Sequence, residues 1–400
     1  MIVEILRALG YGFLQLWLNP VFYLTFLVAF ILGVNRVKKE RNHFYIRIYD
    51  VVDDLYHAFV PGLLAGLVLS VLFVSFGLVL SQGVMWMIAA ASILLMCLFQ
   101  PRLLSPAYIL FVAAVGVVFL PNWLSRFDWL SGVFSDVHVK WLPNLLLLGV
   151  VLLFTEALFI IFQAKKHASP RRVAGKRGKP IGAFETNRIW LVPAFLPVPG
   201  TIIERIDWWP MFADERAFTF LLFPFLLGYR QHQTYDLPNY ALKRDGMRVA
   251  VLAAMLLPLA ILAYVYDWYA FSFIIIALMF ILRFGLYIYE QKQSTLKQEY
   301  FTLRNDGLQI LAIVPKTPAA EMNLKVGEII KRVNDIDVRN ATEFYEALKK
   351  NSTFVKLEVV DEDGEIRFEQ RAFYEHDHHL LGLLFVDEPR IHYSQREAKI

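Results

Sequence analysis

The stretch GLQILAIVPKTPAAEMNLKVGEIIKRVNDID, residues 307–337, decides how the last quarter of this chain folds. It opens with apolar residues at alternate positions from Leu308 to Val314, the period of a half-buried strand. A short helix is predicted over 319–323, directly after two prolines. Two further strands are predicted on either side of Asn334 and Asp335, because these residue types tolerate the left-handed conformation of a tight turn.

The polar sequence that follows predicts the rest of the same module. Asn340 and Glu343 have the spacing of a helix capping box, which predicts a helix over 341–350. Alternating residues predict strands over 354–360 and 365–373, with the turn sequence Asp-Glu-Asp-Gly between them. The sequence therefore predicts a small α+β domain.

This pattern resembles that of bacterial PDZ domains. Pro318-Ala319 and Gly327-Glu328 stand where the family carries Pro-Ala and Gly-Asp, and the departures are Glu328 for aspartate and Asp335 for glycine. The resemblance implies a domain that binds peptides by adding a strand to its own sheet. The family's apolar-Gly-apolar loop is matched only at the end of the module, which resembles the circularly permuted bacterial type.

The resemblance also implies a peptide-binding groove, with 383–386 as its strand and the 341–350 helix as its opposite wall. Gly382 is expected to let the backbone approach a ligand without a Cβ in the way. The alternative, that the apolar residues only fill the core, remains open. The predicted peptide-binding residues are Leu380, Leu381, Gly382, Leu383, Leu384, Tyr345, Leu348 and Ala341.

Composition places the rest of the chain in a membrane. The 400 residues are 57% hydrophobic and 19% charged, and their mean hydropathy of +0.46 excludes an ordinary soluble protein. Seven apolar runs approach or reach the length that crosses a bilayer, and no cleavable signal peptide is evident. These runs are 13–34, 59–80, 84–99, 103–120, 142–162, 249–266 and 269–289.

A further apolar region, 189–203 followed by 218–229, is interrupted by four prolines. It predicts two short spans or a re-entrant hairpin, so the α-helical polytopic membrane domain has seven to nine predicted spans. Gly62 and Gly66 form a small-xxx-small pattern of the kind that lets helices approach closely.

Basic loops predict the orientation. Residues 35–50, 163–184 and 230–248 are rich in lysine and arginine, whereas 121–141 is balanced. The positive-inside rule then places the N-terminus outside and the C-terminal module in the cytoplasm. Residues 35–57 predict an amphipathic helix on the inner membrane surface or an ordinary linker between helices. Residues 165–179 predict a flexible basic loop, whose charge either only sets the orientation or also binds lipid head groups or an acidic partner. Nucleic-acid binding is not supported.

The predicted domains are therefore a polytopic transmembrane domain over 1–290, a linker over 291–298, a cytoplasmic PDZ domain over 299–386 and a polar tail over 387–400. Within the fifth span, Glu156 is costly in hydrocarbon and needs a partner or water. A structural pair and a proton relay are both open for it, although no second ionisable residue is evident deep in another predicted span.

The sequence favours a scaffold over an enzyme. It contains no His-Glu-x-x-His motif for zinc and no Gly-x-Ser-x-Gly motif. One cysteine and three histidines near residue 378 make neither a disulfide framework nor a convincing metal site, and no cofactor is expected. The alternatives are a component of an intramembrane proteolysis system, regulatory or catalytic, and a transporter.

The whole chain is similar to the MinJ family of cell-division topological determinants of Gram-positive bacteria. The similarity is carried by WLVPAFLP at 190–197, WWP at 208–210 and YEHDHHLLGL at 374–383. It implies a plasma-membrane scaffold at the division septum and cell poles. Its implied partners are membrane lipid, a DivIVA-like polar protein, MinD-like protein with MinC, and other division proteins, with homo-oligomers left open.

Overall fold

The computed structural model describes residues 2–120, 134, 136–204, 217–351, 354–372 and 381–387. Within these residues a helical region precedes a strand-rich C-terminal module. The helices of the first region are α1 (Ile2–Leu18), α2 (Pro20–Phe44), α3 (Val51–Phe76), α4 (Gln82–Met96), α5 (Pro106–Phe119), α6 (Leu142–Phe162), α7 (Pro238–Val265) and α8 (Tyr269–Leu296). Its strands are β1 (Ser169–Ala174), β2 (Pro180–Glu204) and β3 (Ala217–Gln233).

Five helices of the described residues are long and apolar enough to cross a membrane: α2, α3, α7, α8 and the helix over Val139–Phe162 that contains α6. The helices α4 and α5 are apolar but shorter. Leucines on α3, such as Leu64 at 70% exposure, face outward without protein cover. An exposed apolar surface of this kind indicates a membrane protein, whereas the count of seven to nine spans remains a prediction.

The predicted first span, 13–34, is divided between two helices. Asn19 lies between α1 and α2, and its side chain accepts a hydrogen bond from the backbone N–H of Val21 at 3.0 Å. Pro20 occupies the first turn of α2, where its missing N–H costs nothing. Asn19-Pro20 is the kind of sequence that kinks or starts a helix, and here it starts α2, so the apolar run 13–34 is not one continuous helix.

The predicted amphipathic helix over 35–57 is wrong. The helix α2 continues to Phe44 and ends at Tyr45, which adopts a left-handed φ of 61°. A new helix, α3, begins after Asp50, whose side chain forms a capping box with Asp53. Arg36, expected to face lipid head groups, is only 8% exposed. The segment is therefore the corner between two helices that are candidate spans.

The apolar stretches 189–204 and 217–229 pair as an antiparallel β-ribbon. The strands β2 and β3 pair from Phe184 opposite Gln233 to Glu204 opposite Ala217, with one irregularity between Pro199 and Ile203. Proline removes a helical hydrogen bond and clashes with the preceding turn. The four prolines therefore disfavour helix here, although both strands are as apolar as the surrounding helices.

Glycines let α3 lie directly on this ribbon. A Cβ added at Gly62 would overlap the carbonyl oxygen of Leu191, and one at Gly66 would overlap that of Pro193. The small-xxx-small pattern thus allows a close approach, as predicted, but its partner is a strand. Backbone that is not helical is tolerated at membrane depth only when protein or water covers it, and α3 provides part of that cover.

The basic segment 165–179 contains a strand, so the prediction of a flexible loop is wrong. The strand β1 pairs with β2 from Ser169 opposite Glu185 to Ala174 opposite Pro180. Arg171, on β1, is buried and its Nε lies 2.9 Å from a carboxylate oxygen of Glu185. The buried Glu185 carboxylate therefore neutralises the charge of Arg171.

The C-terminal module agrees closely with the predicted elements. Its elements are β4 (Leu308–Ile313), α9 (Pro318–Glu321), β5 (Ile329–Val333), β6 (Ile336–Asp337), α10 (Ala341–Lys349), β7 (Phe354–Val360), β8 (Ile366–Ala372) and β9 (Leu383–Phe385). The sheet order is β8-β7-β5-β4-β9, and β6 pairs with β5. The helix α8 runs to Leu296, so the predicted linker over 291–298 is helical for most of its length.

Local signals explain this agreement. Asn334 and Asp335 have φ angles of 50° and 66°, as expected of the turn between β5 and β6. The Asn340 side chain accepts the N–H of Glu343 at 2.8 Å, and the Glu343 carboxylate accepts the N–H of Arg339 at 2.8 Å. The reciprocal bonds fix the start of α10, and that helix supplies one wall of the candidate site.

Candidate functional site

The candidate site is the strip between β9 and α10. In the described part of the chain, β9 is an end strand of the sheet and pairs only with β4. The N–H of Val314 donates to the carbonyl oxygen of Gly382 at 2.8 Å. Hydrogen-bonded and non-bonded positions alternate along an antiparallel pair. Leu383, one residue further on, therefore directs its backbone N–H and C=O to the outer edge of the sheet.

The wall opposite this edge is α10. Tyr345 and Leu348 are partly buried and pack against the apolar cluster that contains Leu381, Leu383 and Ala341. Phe344 anchors the helix, with its ring centroid 5.0 Å from that of Phe385 in an edge-to-face contact. The structure thus brings predicted residues from α10 and from the β9 segment together.

The predicted residues differ in what a ligand can reach. Ala341, Leu381 and Leu383 are at most 2% exposed, so their side chains belong to the core of the module. Tyr345 and Leu348 retain accessible surface. Side-chain contact with a ligand is therefore expected from these two residues, and backbone contact from Leu383.

One predicted residue has its side chain on the other face of the sheet. The Leu384 side chain packs in a different apolar cluster, with Phe184 and Phe301 among its members, because successive side chains of a strand point to opposite faces. Its side chain therefore faces away from α10, and its predicted part in peptide binding stays a prediction. Leu380 lies outside the described residues, as do WWP at 208–210 and the three histidines near residue 378.

Gly382 is required by its own turn. Its φ is +91°, a conformation that side chains rarely adopt. An added Cβ would overlap Thr317, whose hydroxyl donates to the carbonyl oxygen of Val314 at 2.6 Å. Substitution here would disturb the turn before it affected any ligand, so Gly382 is a poor position for testing the groove.

The other face of the sheet rests on the helical region. The cluster around Leu384 joins Leu311 and Ala312 of β4 to Phe44 of α2 and Phe184 of β2. The N–H of Gly182 donates to the carbonyl oxygen of Phe301 at 2.9 Å. Because α10 covers the opposite face of the sheet, the candidate site is turned away from this contact.

Buried charges fasten the β-ribbon beside α2 and α3. Arg36 on α2 contacts Asp54 of α3 at 2.9 Å, and Asp54 also pairs with Arg188 of β2. Glu185 on β2 is 3% exposed. Burial alone would raise the pKa of the Glu185 carboxyl, but His232, Arg171 and Lys39 together hold that pKa well below its usual value. The ionised carboxylate is thereby stabilised.

The sequence interpretation of Glu156 missed its partner. Arg283 on α8 places Nη2 2.8 Å from a Glu156 oxygen, and both side chains are at most 5% exposed. The Ser105 hydroxyl donates to the other carboxylate oxygen. Arg283 lies inside the predicted span 269–289. An arginine deep in a predicted span was therefore the sequence signal that could have identified the partner of Glu156. The contacts favour the structural-pair interpretation. Among the described residues no group of three His, Cys, Asp or Glu side chains could hold a metal.

Comparison with known proteins identifies relatives over almost the whole chain. It is 35% identical over 395 residues to the cell division topological determinant MinJ of Bacillus subtilis (strain 168), covering 97% of this chain and 96% of that protein. It is 27% identical over 391 residues to the probable cell division topological determinants MinJ of Lacticaseibacillus paracasei and Lacticaseibacillus casei (strain BD-II), covering 93% of this chain and 98% of each. No family model matches the chain, and no solved structure matches it.

Proposed function

This chain belongs to the MinJ family of cell division topological determinants, and from that premise we propose that it is a membrane adaptor that places division-site regulators through its C-terminal module. The observation that carries the proposal is the end strand β9 beside α10, on the face turned away from the helical region. The relatives' name describes the placement of division and names no catalytic activity.

We assign a PDZ-type role to residues 299–386 within this proposal. An antiparallel sheet with a helix beside its end strand suits peptide binding by strand addition, in which main-chain hydrogen bonds give affinity and side-chain pockets give specificity. Leu383 supplies outward backbone groups, and Tyr345 with Leu348 supplies the adjacent apolar surface. The strand β9 comes last in the chain but pairs with β4 in the sheet. This arrangement suits the circularly permuted bacterial type.

The proposed partners follow from the family resemblance. They are a DivIVA-like polar protein on one side and a MinD-like protein with MinC on the other, bridged at septum and poles. The excess of lysine and arginine in 35–50, 163–184 and 230–248 supports a cytoplasmic position for the module. The Glu156 carboxylate, held by Arg283 and Ser105, gives no support to a proton-relay transporter.

A negative charge introduced on α10 tests the groove. We expect Leu348→Glu, and separately Tyr345→Glu, to lower recruitment of a MinD-like or DivIVA-like partner at least about tenfold, because an unpaired carboxylate must then be desolvated at an apolar contact. The measurement is a bacterial two-hybrid assay with the full chain, with membrane levels of each variant quantified.

Glu346→Ala is the matched control, since Glu346 lies on the exposed side of the same helix. It should recruit both partners at the wild-type level. Normal recruitment by the Leu348 and Tyr345 variants at wild-type abundance would remove the groove from the proposal.

A further inference from the structure

A long groove runs along the outside of the helical region between α7 and α8. It has a volume of about 680 Å³ and is lined by residues of both helices. Its apolar surface is open: Met247, Val251 and Met255 are 50%, 53% and 69% exposed. These three residues follow one another at intervals of four along α7, so they share a face of the helix. Leu282 and Leu286 of α8 form the facing side.

Three cations stand at one end of this groove: Lys243, Arg244 and Arg248. Arg248 is held by Asp245 at 2.8 Å and lies over the ring of Tyr289. Arg244 contacts Asp236 at 3.0 Å and the Tyr235 hydroxyl at 3.0 Å.

Donor capacity remains at this end after those contacts. Lys243 is exposed and forms no ion pair within the described part of the chain. The cationic end is therefore preorganised by two tethered arginines and keeps an uncommitted lysine.

The dimensions match half a bilayer. From Arg244 to Met255 the helix rises about 16 Å, at 1.5 Å per residue. One leaflet contributes about 15 Å of the hydrocarbon core. An acyl chain in the groove would thus extend from the cationic end toward the middle of the membrane.

The cationic end also lies at the boundary of the helical region. Tyr240 and Lys243 line both this groove and a separate cavity of about 840 Å³ between the helical region and the C-terminal module. Residues of the module line the far side of that cavity, among them Ala312 and the acidic residues Glu328, Asp361, Glu362 and Asp363. The end of the groove therefore sits at the depth where a lipid head group meets water.

We propose that this groove binds one anionic phospholipid of the leaflet next to the C-terminal module. Its phosphate lies between Lys243 and Arg244, and one acyl chain lies against Met247, Val251 and Met255. Basic pockets between transmembrane helices are suited to anionic head groups. An exposed lysine beside two ion-paired arginines, at one end of an apolar groove, complements a phospholipid better than it complements the uniformly apolar face of another helix. The site goes beyond the adaptor function and does not depend on it.

Native mass spectrometry of the full chain, purified in detergent and titrated with phosphatidylglycerol or phosphatidylcholine, tests the site. We expect one retained phosphatidylglycerol per chain, with about tenfold preference over phosphatidylcholine. Lys243→Gln should lower the retained phosphatidylglycerol about fivefold, as loss of one cation near a phosphate implies. Val251→Trp should lower retention of both lipids because it fills the groove without changing its charge.

Lys292→Gln is the matched control, because Lys292 is an exposed cation on α8 that does not line the groove. It should retain phosphatidylglycerol as the wild type does. Equal retention of the two lipids, or undiminished phosphatidylglycerol in the Lys243 variant, would overturn the proposal. So would a dimer that carries no lipid and is dissociated by Val251→Trp, since the occupant would then be a second copy of the chain.

Discussion

Gly62→Ala is expected to remove most of the folded protein from the membrane. The added methyl group would overlap the carbonyl oxygen of Leu191 in β2, and strand backbone cannot move aside as a flexible side chain does. Overpacking of well-packed cores typically costs about 1–3 kcal/mol. A clash with backbone along a helix–ribbon contact should reach or exceed the upper end of that range. Size-exclusion chromatography of a detergent-extracted fluorescent fusion measures the loss of the monodisperse peak.

Gly285→Ala provides the same chemical change where there is room. Gly285 lies within α8, and a Cβ added there meets no atom of the described residues within 4 Å. Alanine in a helix interior is favoured over glycine by about 0.5–1 kcal/mol, so this variant should be at least as stable as the wild type. Equal stability of the Gly62 and Gly285 variants would show that α3 does not lie on the ribbon as described.

Loss of Arg283 is expected to have the second-largest effect. Arg283→Leu leaves the Glu156 carboxylate buried, with the Ser105 hydroxyl as its remaining hydrogen-bond donor among the described residues. Breaking a buried ion pair from one side costs about 3–5 kcal/mol, because the remaining charge has no partner. The melting temperature of the purified protein in detergent should fall accordingly.

The double variant separates an ion pair from a general loss of packing. Glu156→Leu combined with Arg283→Leu removes both charges, so it should recover most of the lost stability. Arg304→Leu is the control for a surface pair, because Arg304 contacts Asp306 at 3.1 Å while both side chains are exposed. It should cost no more than about 1 kcal/mol. A double variant as unstable as Arg283→Leu would contradict the account.

The C-terminal module could be predicted because its turns are encoded locally. Asn334 and Asp335 mark the turn between β5 and β6, and Asn340 with Glu343 marks the start of α10. Each signal depends on residues within four positions of one another. The strand bounds Phe354–Val360 are confirmed for the same reason, since the alternation of apolar residues is unbroken there.

The helical region was less predictable because its packing depends on distant residues. Strands β2 and β3 are as apolar as membrane helices, and their long-range pairing determines the ribbon. The strand β1 is basic, but Glu185 on β2 neutralises Arg171 from fourteen residues away. The partner of Glu156 lies on α8, at a separation of 127 residues. No local pattern reports contacts of that range.

The candidate site was predictable in its main-chain part and less so in its side chains. The apolar-Gly-apolar pattern located the segment of β9 beside α10. Periodicity alone did not reveal that Leu384 points to the other face, because the strand's register with β4 was unknown. Thr317, which occupies the space beside Gly382, is distant in sequence and gave no signal.

The central claim is that this chain places a division regulator, and live-cell imaging tests it most directly. The measurement is the position of a fluorescent MinD-like protein during division in three strains: one lacking this chain, one carrying the wild type and one carrying Leu348→Glu. The account predicts septal and polar fluorescence with the wild type and dispersed fluorescence in the other two strains, while the Leu348 variant itself remains in the membrane. Septal and polar fluorescence that persists without this chain would contradict the account.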